Sequence, residues 1–281
     1  LSINITMMAL SWASLVMLTV ITFGGVSCQA PPYEVQTAYR TNSSSSQLQY
    51  STQSGVYNNF TINSYLAVVS NPVGNFHILY PTAPNGTCEG YIYTSKEAAR
   101  YGCLYATNAS PFSMYQLPGR PTCIGYAVSN GSIGLLDPTS NTNFGLTSNG
   151  DFVIGVLQPS DVTSMGFVEL ASGFGWLLRR GELQVSPNSS DLIAPRTAIG
   201  TDRSGRLMIF EADGAEDLHK GLTLYQLAQW LLSLGGYNVI NLDGGGSSVT
   251  YYNGTVVSVP TCRDSAFECQ RLVTTITCVM P

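Results

Sequence analysis

From Phe60 onward, short apolar runs alternate with turn signals, and this alternation constrains the fold more than any other feature of the sequence. Examples are "YLAVVSN", "NFHILYP", "FGLTSNGDFVIGVL" and "RTAIGTDRSGRLMIFEADG". Runs of this length, bounded by Gly, Asn, Asp and Pro, are typical of β-strands joined by tight turns. With 44% hydrophobic residues, the 281-residue chain can bury a sizeable core. The pattern predicts an α+β fold over residues 60–281: one strand-rich domain with mixed or antiparallel sheets and few helices.

Two helices are predicted within this domain. Thr223 and Gln226 have the spacing of a capping box, and Gly235 and Gly236 follow an apolar face over Leu224–Leu234. A shorter helix is predicted at "SKEAARYG". The longer helix leads through "YNVINL" into "DGGGSS", and then into a hairpin whose Asn253-Gly254 suits a type I′ turn.

The N-terminal 59 residues differ in composition from the rest. Residues 7–23, "MMALSWASLVMLTVITF", form an uncharged apolar run, and small residues follow it. Residues 1–30 are therefore predicted to be a signal peptide or, alternatively, a retained N-terminal anchor. Residues 31–59 contain "RTNSSSSQLQYSTQSG" and show no sustained period, which predicts a Ser/Thr-rich flexible linker.

Charge and cysteine content indicate the compartment and restrict the partners. The net charge is −5 with only 12 basic residues, so nucleic acid is not an expected partner; a membrane is expected only if the N-terminal segment is retained. Cleavage after Cys28 would leave six cysteines, suited to three disulfides in any of fifteen pairings. Eight glycosylation sequons also favour a secreted or luminal location, with the Golgi as one possibility; they begin at Asn4, Asn42, Asn59, Asn85, Asn108, Asn130, Asn188 and Asn253.

The residue inventory narrows the chemistry. "DGGGSS" lacks the lysine of a phosphate-binding Walker loop, and Ser247 is not in a hydrolase elbow. His77, in an apolar strand, is interpreted as a packed residue, and with His219 as the only other histidine a His/Cys zinc site has few ligands. No metal or other cofactor is predicted.

Carboxylates and glycines remain as the candidates for chemistry. Asp213 and Asp243 each end an apolar segment and precede glycine, which could place two acids at one sheet edge for glycosidic cleavage. Consecutive glycines allow backbone N–H groups to surround an anion, and Arg196 could grip a phosphate with two hydrogen bonds. The alternatives are structural: a glycine turn, an ordinary Asp-Gly turn, and an arginine paired with an acid.

Three segments in combination resemble the phosphodiester glycosidase family: "RTAIGTDRSGRLMIFEADG", "GLTLYQLAQWLL" and "NLDGGGSSVTYYNGT". Together with "FGLTSNGDFVIG", "ASGFGWLLRRG" and the cysteine-bearing end, the resemblance covers residues 65–281. It implies a luminal or secreted hydrolase that cleaves GlcNAc-α-1-phosphodiesters, releasing the sugar and leaving a phosphomonoester. Its substrate would be a phosphoglycan or other sugar phosphodiester, including one carried on glycoproteins.

The resemblance also implies roles for individual residues. Asp243, Asp213 and Arg196 would be catalytic, and substrate would be bound by Asn108, Asn241, Gly244, Gly245, Gly246 and Ser247. The implied disulfides are Cys88–Cys123, Cys103–Cys278 and Cys262–Cys269.

One segment departs from the family pattern. The family has an asparagine followed by two glycines and aromatics, whereas this chain has "NASPF", residues 108–112. Side chains at Ala109 and Ser110, and the fixed φ of Pro111, would change that wall of the cavity. Two alternatives to the hydrolase follow: a catalytically impaired phosphoglycan-binding protein, or a glycosidase for another sugar phosphodiester.

Overall fold

The computed structural model describes residues 32–83, 85–113, 121–139, 141–188, 192–261 and 269–281, and over these ranges the chain is mainly β. Its paired strands are antiparallel throughout. The α+β prediction therefore holds only in the sense of a strand-rich domain with few helices. The predicted signal or anchor, residues 1–30, lies outside the described residues. None of the described helices is long and apolar enough to span a membrane.

A seven-stranded sheet carries the segments that resemble the family. Its central strands are almost completely buried, because both faces of the sheet are covered. The strand order is β14 (Glu182–Leu183), β13 (Gly175–Arg179), β17 (Gly236–Asn241), β15 (Arg196–Asp202), β16 (Leu207–Ala212), β3 (Phe60–Val69) and β2 (Leu48–Tyr57).

Two further sheets complete the fold, with a small two-stranded pair of β6 (Phe112–Ser113) and β7 (Thr122–Cys123). The six-stranded sheet has the order β1 (Tyr33–Thr37), β11 (Asp151–Val156), β10 (Thr142–Thr147), β12 (Phe167–Ser172), β8 (Tyr126–Ser129) and β9 (Ser132–Leu136). The five-stranded sheet has the order β19 (Thr255–Val256), β18 (Thr250–Tyr252), β5 (Tyr105–Asn108), β20 (Ile276–Val279) and β4 (Phe76–Leu79).

One apolar cluster joins the three larger sheets. Phe144 of the six-stranded sheet, Ile240 of the seven-stranded sheet and Tyr105 of the five-stranded sheet are all fully buried within it. Each such side chain contributes about 1.5–3 kcal/mol when removed from water. Because this core is shared, the three sheets form one domain, and residues 32–281 make one compact unit.

Both predicted helices are present. The first, α1, spans Thr94–Tyr101. A second, unpredicted short helix, α2, spans Pro159–Ser164. The third, α3, spans Leu224–Ser233, begins with the Thr223–Gln226 capping box, and buries its apolar face on the seven-stranded sheet.

The prediction of a flexible linker at residues 31–59 is wrong for the described part of that segment. β1 pairs with β11, and β2 pairs along its whole length with β3 through a turn at Asn58 and Asn59, both with positive φ. β2 is an edge strand whose side chains are mostly exposed. Its order therefore comes from the backbone ladder, which low-complexity polar residues can form as well as apolar ones.

Two disulfides cross-link distant segments of this fold. The structure forms Cys88–Cys123 and Cys103–Cys278, two of the pairs that the family resemblance implied. Cys103–Cys278 joins the segment before β5 to β20, 175 residues apart in sequence. The third implied pair involves Cys262, which lies outside the described residues.

Candidate functional site

The candidate site lies at one edge of the seven-stranded sheet. β15 is antiparallel to both of its neighbours, so β16 and β17 run in the same direction and end at the same edge. Asp213 follows β16, Asp243 follows β17, and Arg196 begins β15 between them. The prediction of two acids at one sheet edge is confirmed. With one strand between them, their strands are about 10 Å apart.

The glycine run after Asp243 forms a tight turn against the chain at Pro195. Gly245, Gly246 and Ser247 make one turn of 3-10 helix, and Gly245 has a left-handed φ of +59°. The Gly245 N–H donates to the Pro195 carbonyl at 2.9 Å, and a Cβ on Gly244 would lie 2.9 Å from the same oxygen. The Gly245 N–H is therefore used by the protein itself and is not directed at a bound anion.

Two charged side chains occupy the space that the glycines leave open. The Glu216 carboxylate lies against Gly245, and the Arg271 guanidinium lies against Gly246, where a Cβ would be 2.5 Å from Nη2. Glu216 is exposed and Arg271 is half-buried. The absence of side chains in the glycine run therefore leaves room for one acidic and one basic side chain next to the backbone that follows Asp243.

Asp243 is held by backbone and side chain together. Its N–H donates to the Ala109 carbonyl at 3.0 Å, and its own carbonyl accepts from the Asn108 amide at 2.6 Å. Burial raises the pKa of the Asp243 carboxyl from 3.8 to about 6; the Ser247 side chain, the Arg271 charge and the Gly244 N–H partly offset this effect, and Glu216 adds to it. Part of the residue remains accessible. A carboxyl with this pKa can exchange a proton near neutral pH.

Asn108 lies behind the site. Its side chain is fully buried, and its Oδ1 accepts from the Thr197 hydroxyl at 2.9 Å and from the Val249 N–H at 3.4 Å. All these partners belong to the protein, and this geometry favours a positioning role for Asn108 over a direct contact with substrate. A buried amide engaged in this way is also not a glycan acceptor.

Buried oxygens without a partner occur in the segments that hold Asp243. In these segments, as far as the structure describes them, Ser110 Oγ, Asn241 Oδ1 and Ser247 Oγ are buried and have no partner within hydrogen-bond geometry. Buried polar atoms are normally paired, so such atoms in a site are consistent with a missing ligand or water. Asn241 was a predicted substrate contact, whereas Ser110 belongs to the "NASPF" segment that departs from the family.

Asp213 belongs to a separate acidic group. It is 3% exposed, and its oxygens accept hydrogen bonds from the Tyr65 hydroxyl at 3.0 Å and the Val259 N–H at 2.7 Å. Burial raises its pKa, an effect that these hydrogen bonds oppose. Its acidic neighbour is Glu211, whose pKa burial and Asp213 raise well above its usual value. This enclosure favours a positioning role over the predicted catalytic one.

Arg196 also serves the protein framework. Its Nε donates to the Leu222 carbonyl at 2.9 Å, and its Nη2 donates to the Leu192 carbonyl. The side chain passes beside Gly244, with Cδ 3.8 Å from the position of an added Cβ. The cation whose charge lowers the pKa of Asp243 is Arg271. This arrangement therefore favours Arg271 over Arg196 as the residue that binds a phosphate.

The sequence reasoning missed Glu216 and Arg271. Glu216 lies three residues after Asp213 in "DGAED", and Arg271 lies two residues after Cys269 in "CQR". The only local signals were an extra acid after an Asp-Gly turn and a base close to a framework cysteine. No group of three or more metal-ligating side chains occurs in the part of the chain that the structure describes.

Comparisons with known proteins show which family the chain is similar to. The family model described as Phosphodiester glycosidase matches residues 101–280, which include Asn108, Asp243 and Arg271. The chain belongs to the phosphodiester glycosidase family. Family membership accounts for the order of the motifs along β15, β16, α3 and β17.

Named relatives are found in several vertebrates. The bovine N-acetylglucosamine-1-phosphodiester alpha-N-acetylglucosaminidase is 33% identical over 237 residues, covering 76% of this chain and 44% of that protein. The human protein of the same name is 34% identical over 230 residues, covering 74% and 44%. The chain thus spans less than half the length of these curated relatives.

A solved structure extends the similarity to the fold. The zebrafish N-acetylglucosamine-1-phosphodiester alpha-N-acetylglucosaminidase catalytic domain, auto-inhibited by pro-peptide, matches with a TM-score of 0.78 and 28% sequence identity. The match covers 89% of this chain and 88% of that chain. The phosphodiester glycosidase fold therefore extends beyond the residues that the family model matches.

Proposed function

We propose that this phosphodiester glycosidase hydrolyses GlcNAc-α-1-phosphodiesters, releasing GlcNAc and leaving a phosphomonoester. The observation that carries the proposal is the Asp243 carboxyl, whose pKa of about 6 arises on the glycine turn beside Arg271 and Glu216. The names of the bovine and human relatives support the choice of sugar and linkage.

Arg271 would hold the phosphodiester. The substrate carries a negative charge on its phosphate, and a guanidinium can donate two parallel hydrogen bonds to phosphate oxygens. Since Gly246 has no side chain, the guanidinium can lie against the turn and remain close enough to Asp243 to lower its pKa. Phosphate and carboxylate would then lie on either side of one cation.

Asp243 would act on the attacking water. In its ionised form it accepts a proton from water, the water oxygen bonds to the anomeric carbon, and the bond from that carbon to the phosphate oxygen breaks. The electron pair of that bond leaves with the phosphate, which becomes the phosphomonoester. Because a phosphate is already a good leaving group, this scheme needs no separate acid to protonate it. Asn108 and Ala109 would position Asp243 through its backbone.

The proposed substrate and location follow from the same resemblance to the family. We propose a phosphoglycan or other sugar-phosphodiester substrate, including one carried on glycoproteins, and a secreted or luminal enzyme of the secretory pathway, the Golgi included. The two disulfides support an oxidising compartment. The sequon asparagines in the described residues are exposed apart from the buried Asn108, which also fits the secretory route; the exposed ones are Asn42, Asn59, Asn85, Asn130, Asn188 and Asn253.

A second candidate is a phosphoglycan-binding protein that has lost hydrolysis. The observation that favours it is the "NASPF" segment, because the Ala109 carbonyl accepts a hydrogen bond from the Asp243 N–H and the next residue, Ser110, is buried. Side chains at these positions, where the family has glycines, would add atoms next to the backbone that holds Asp243.

An assay of GlcNAc release from a GlcNAc-α-phosphomannoside separates the two candidates. We expect hydrolysis by the chain itself, and a ten- to hundredfold loss of kcat/KM for Arg271→Gln, because a hydrogen bond to a charged group contributes about 1.5–3 kcal/mol. The control is Arg203→Gln, an exposed arginine that stacks on Tyr237 beyond the opposite end of β15. Binding of the phosphodiester by a folded chain without GlcNAc release would support the second candidate and refute the first.

A further inference from the structure

A cavity of about 240 Å³ lies away from the acidic edge. It forms where β4 and β20 meet the end of β8, with α1 on one side. Its walls are mostly apolar and include Leu79, Tyr101 and Met280, while His77 and Asn130 supply polar groups. Ligand pockets for drug-sized molecules are about 300–1,000 Å³, so this cavity suits a smaller group such as one sugar ring.

Buried Glu169 organises the polar side of the cavity. Its Oε1 lies 2.9 Å from His77 Nδ1 and accepts the Asn130 N–H at 3.2 Å, while its Oε2 accepts the Ile78 N–H at 2.7 Å. The His77 side chain is 28% exposed and that of Glu169 only 3%. One carboxylate thus fixes both the imidazole and the backbone of Asn130. His77 was predicted to be a packed residue, but it lines this cavity.

Asn130 is both a wall of the cavity and a sequon asparagine. It begins Asn130-Gly131-Ser132 in the turn between β8 and β9, where Asn130 and Gly131 have φ values of +48° and +78°. The residue is exposed, so an oligosaccharide transferred to its side-chain nitrogen would start at the cavity mouth.

We propose that Asn130 carries an N-linked glycan and that its first GlcNAc lies in this cavity. The sugar ring would pack against Tyr101, whose hydroxyl donates to the Ala83 carbonyl at 2.9 Å and so fixes the ring in place. Aromatic faces suit the apolar face of a sugar, and His77 would hydrogen-bond its polar groups. The proposal rests on the secretory location proposed above, and it does not depend on the hydrolysis of any substrate.

The test compares sequon variants that leave both asparagines in place. Ser132→Ala abolishes the Asn130 sequon, and Thr255→Ala abolishes that of Asn253, which has the same kind of Asn-Gly turn with φ values of +47° and +91°. The full chain is secreted from cells that make only oligomannose glycans. Glycopeptide mass spectrometry then reports occupancy, and thermal melting and hydrogen exchange report the effect on the fold.

We expect Asn130 to be occupied, and Ser132→Ala to lower the Tm by about 2–4 °C and speed exchange severalfold at residues 77–79 and 128–132. Thr255→Ala should leave both the Tm and the exchange rates at these residues unchanged. Endoglycosidase H, which leaves one GlcNAc on each asparagine, should also leave the Tm unchanged. In protein made without glycosylation, Ser132→Ala should match the unsubstituted chain, which excludes an effect of the serine itself.

Three results would overturn the proposal. An unmodified Asn130 in a chain glycosylated elsewhere would show that the site is not used. An occupied Asn130 with no difference between Ser132→Ala and the unsubstituted glycoprotein would show that the sugar does not enter the cavity. A chain with no glycan at any sequon would refute the secretory location as well, and so is distinguishable from the other two.

Discussion

Replacing Asp243 with asparagine should make the protein more stable and inactive at the same time. The carboxyl has a pKa of about 6 in the folded protein against an ordinary value of 3.8, chiefly because it is buried. Each pH unit of difference corresponds to about 1.4 kcal/mol, so ionising Asp243 costs the folded state about 3 kcal/mol. Asparagine has nearly the same shape and does not ionise.

The direction of this pKa shift determines how the stability of the protein changes with pH. A carboxyl with a raised folded-state pKa binds its proton more tightly when folded, so the unsubstituted protein loses stability as the pH rises from about 4 to above 6. Below about pH 4 the Asp243 carboxyl is protonated in both the folded and the unfolded state, and the loss of stability disappears. The advantage of Asp243→Asn should therefore grow by about 2–3 kcal/mol between pH 4 and pH 8.

The assay is urea unfolding at a series of pH values, together with GlcNAc release. The matched control is Asp217→Asn, which removes an exposed carboxylate from the same 3-10 turn as Glu216 and so reports the effect of losing one negative charge at the surface. An advantage of Asp243→Asn that is equal at pH 4 and pH 8 would refute the desolvation argument. Undiminished hydrolysis by the variant would refute the catalytic assignment.

Other predictions concern the surroundings of this aspartate. Gly246→Ala should displace the Arg271 guanidinium, which a Cβ would approach to 2.5 Å. Because the Arg271 charge lowers the pKa of Asp243, kcat/KM should fall and the acidic limb of its pH profile should move to higher pH. The urea midpoint should change little. Glu211→Gln should flatten the loss of stability above pH 5, because burial raises the pKa of this carboxyl well above its usual value; a steeper loss in urea unfolding would contradict this. Changing Cys103 and Cys278 together to serine should lower the free energy of unfolding by about 2–5 kcal/mol, since their bond closes a loop of 175 residues; an unchanged urea midpoint would contradict this.

Local signals in the sequence predicted the parts of the fold that local interactions decide. The capping box and apolar face at Thr223 specified α3, and the repeated strand-to-glycine pattern placed Asp213 and Asp243 at one sheet edge. β2 was missed because an edge strand is ordered by backbone pairing, which leaves no apolar pattern to read.

The composition of the site was less predictable because it depends on contacts between distant segments. Arg271 reaches Gly246 from a segment 25 positions later in the chain, and Asn108 reaches Asp243 across 135 positions. No local pattern encodes such distances. The resemblance to the family pointed to these segments, but only the three-dimensional arrangement distinguishes the buried Asn108 and Asp213 from the partly accessible Asp243.

The contact between the glycine turn and its two charged neighbours has an evolutionary consequence. A Cβ on Gly245 or Gly246 would displace the Glu216 carboxylate or the Arg271 guanidinium from the backbone, so we expect each glycine and its charged partner to change together in related sequences. A related sequence that has lost the arginine should tolerate alanine or serine at the position of Gly246. Gly245 should remain more restricted even without its acidic partner, because its φ of +59° is strained for any other residue.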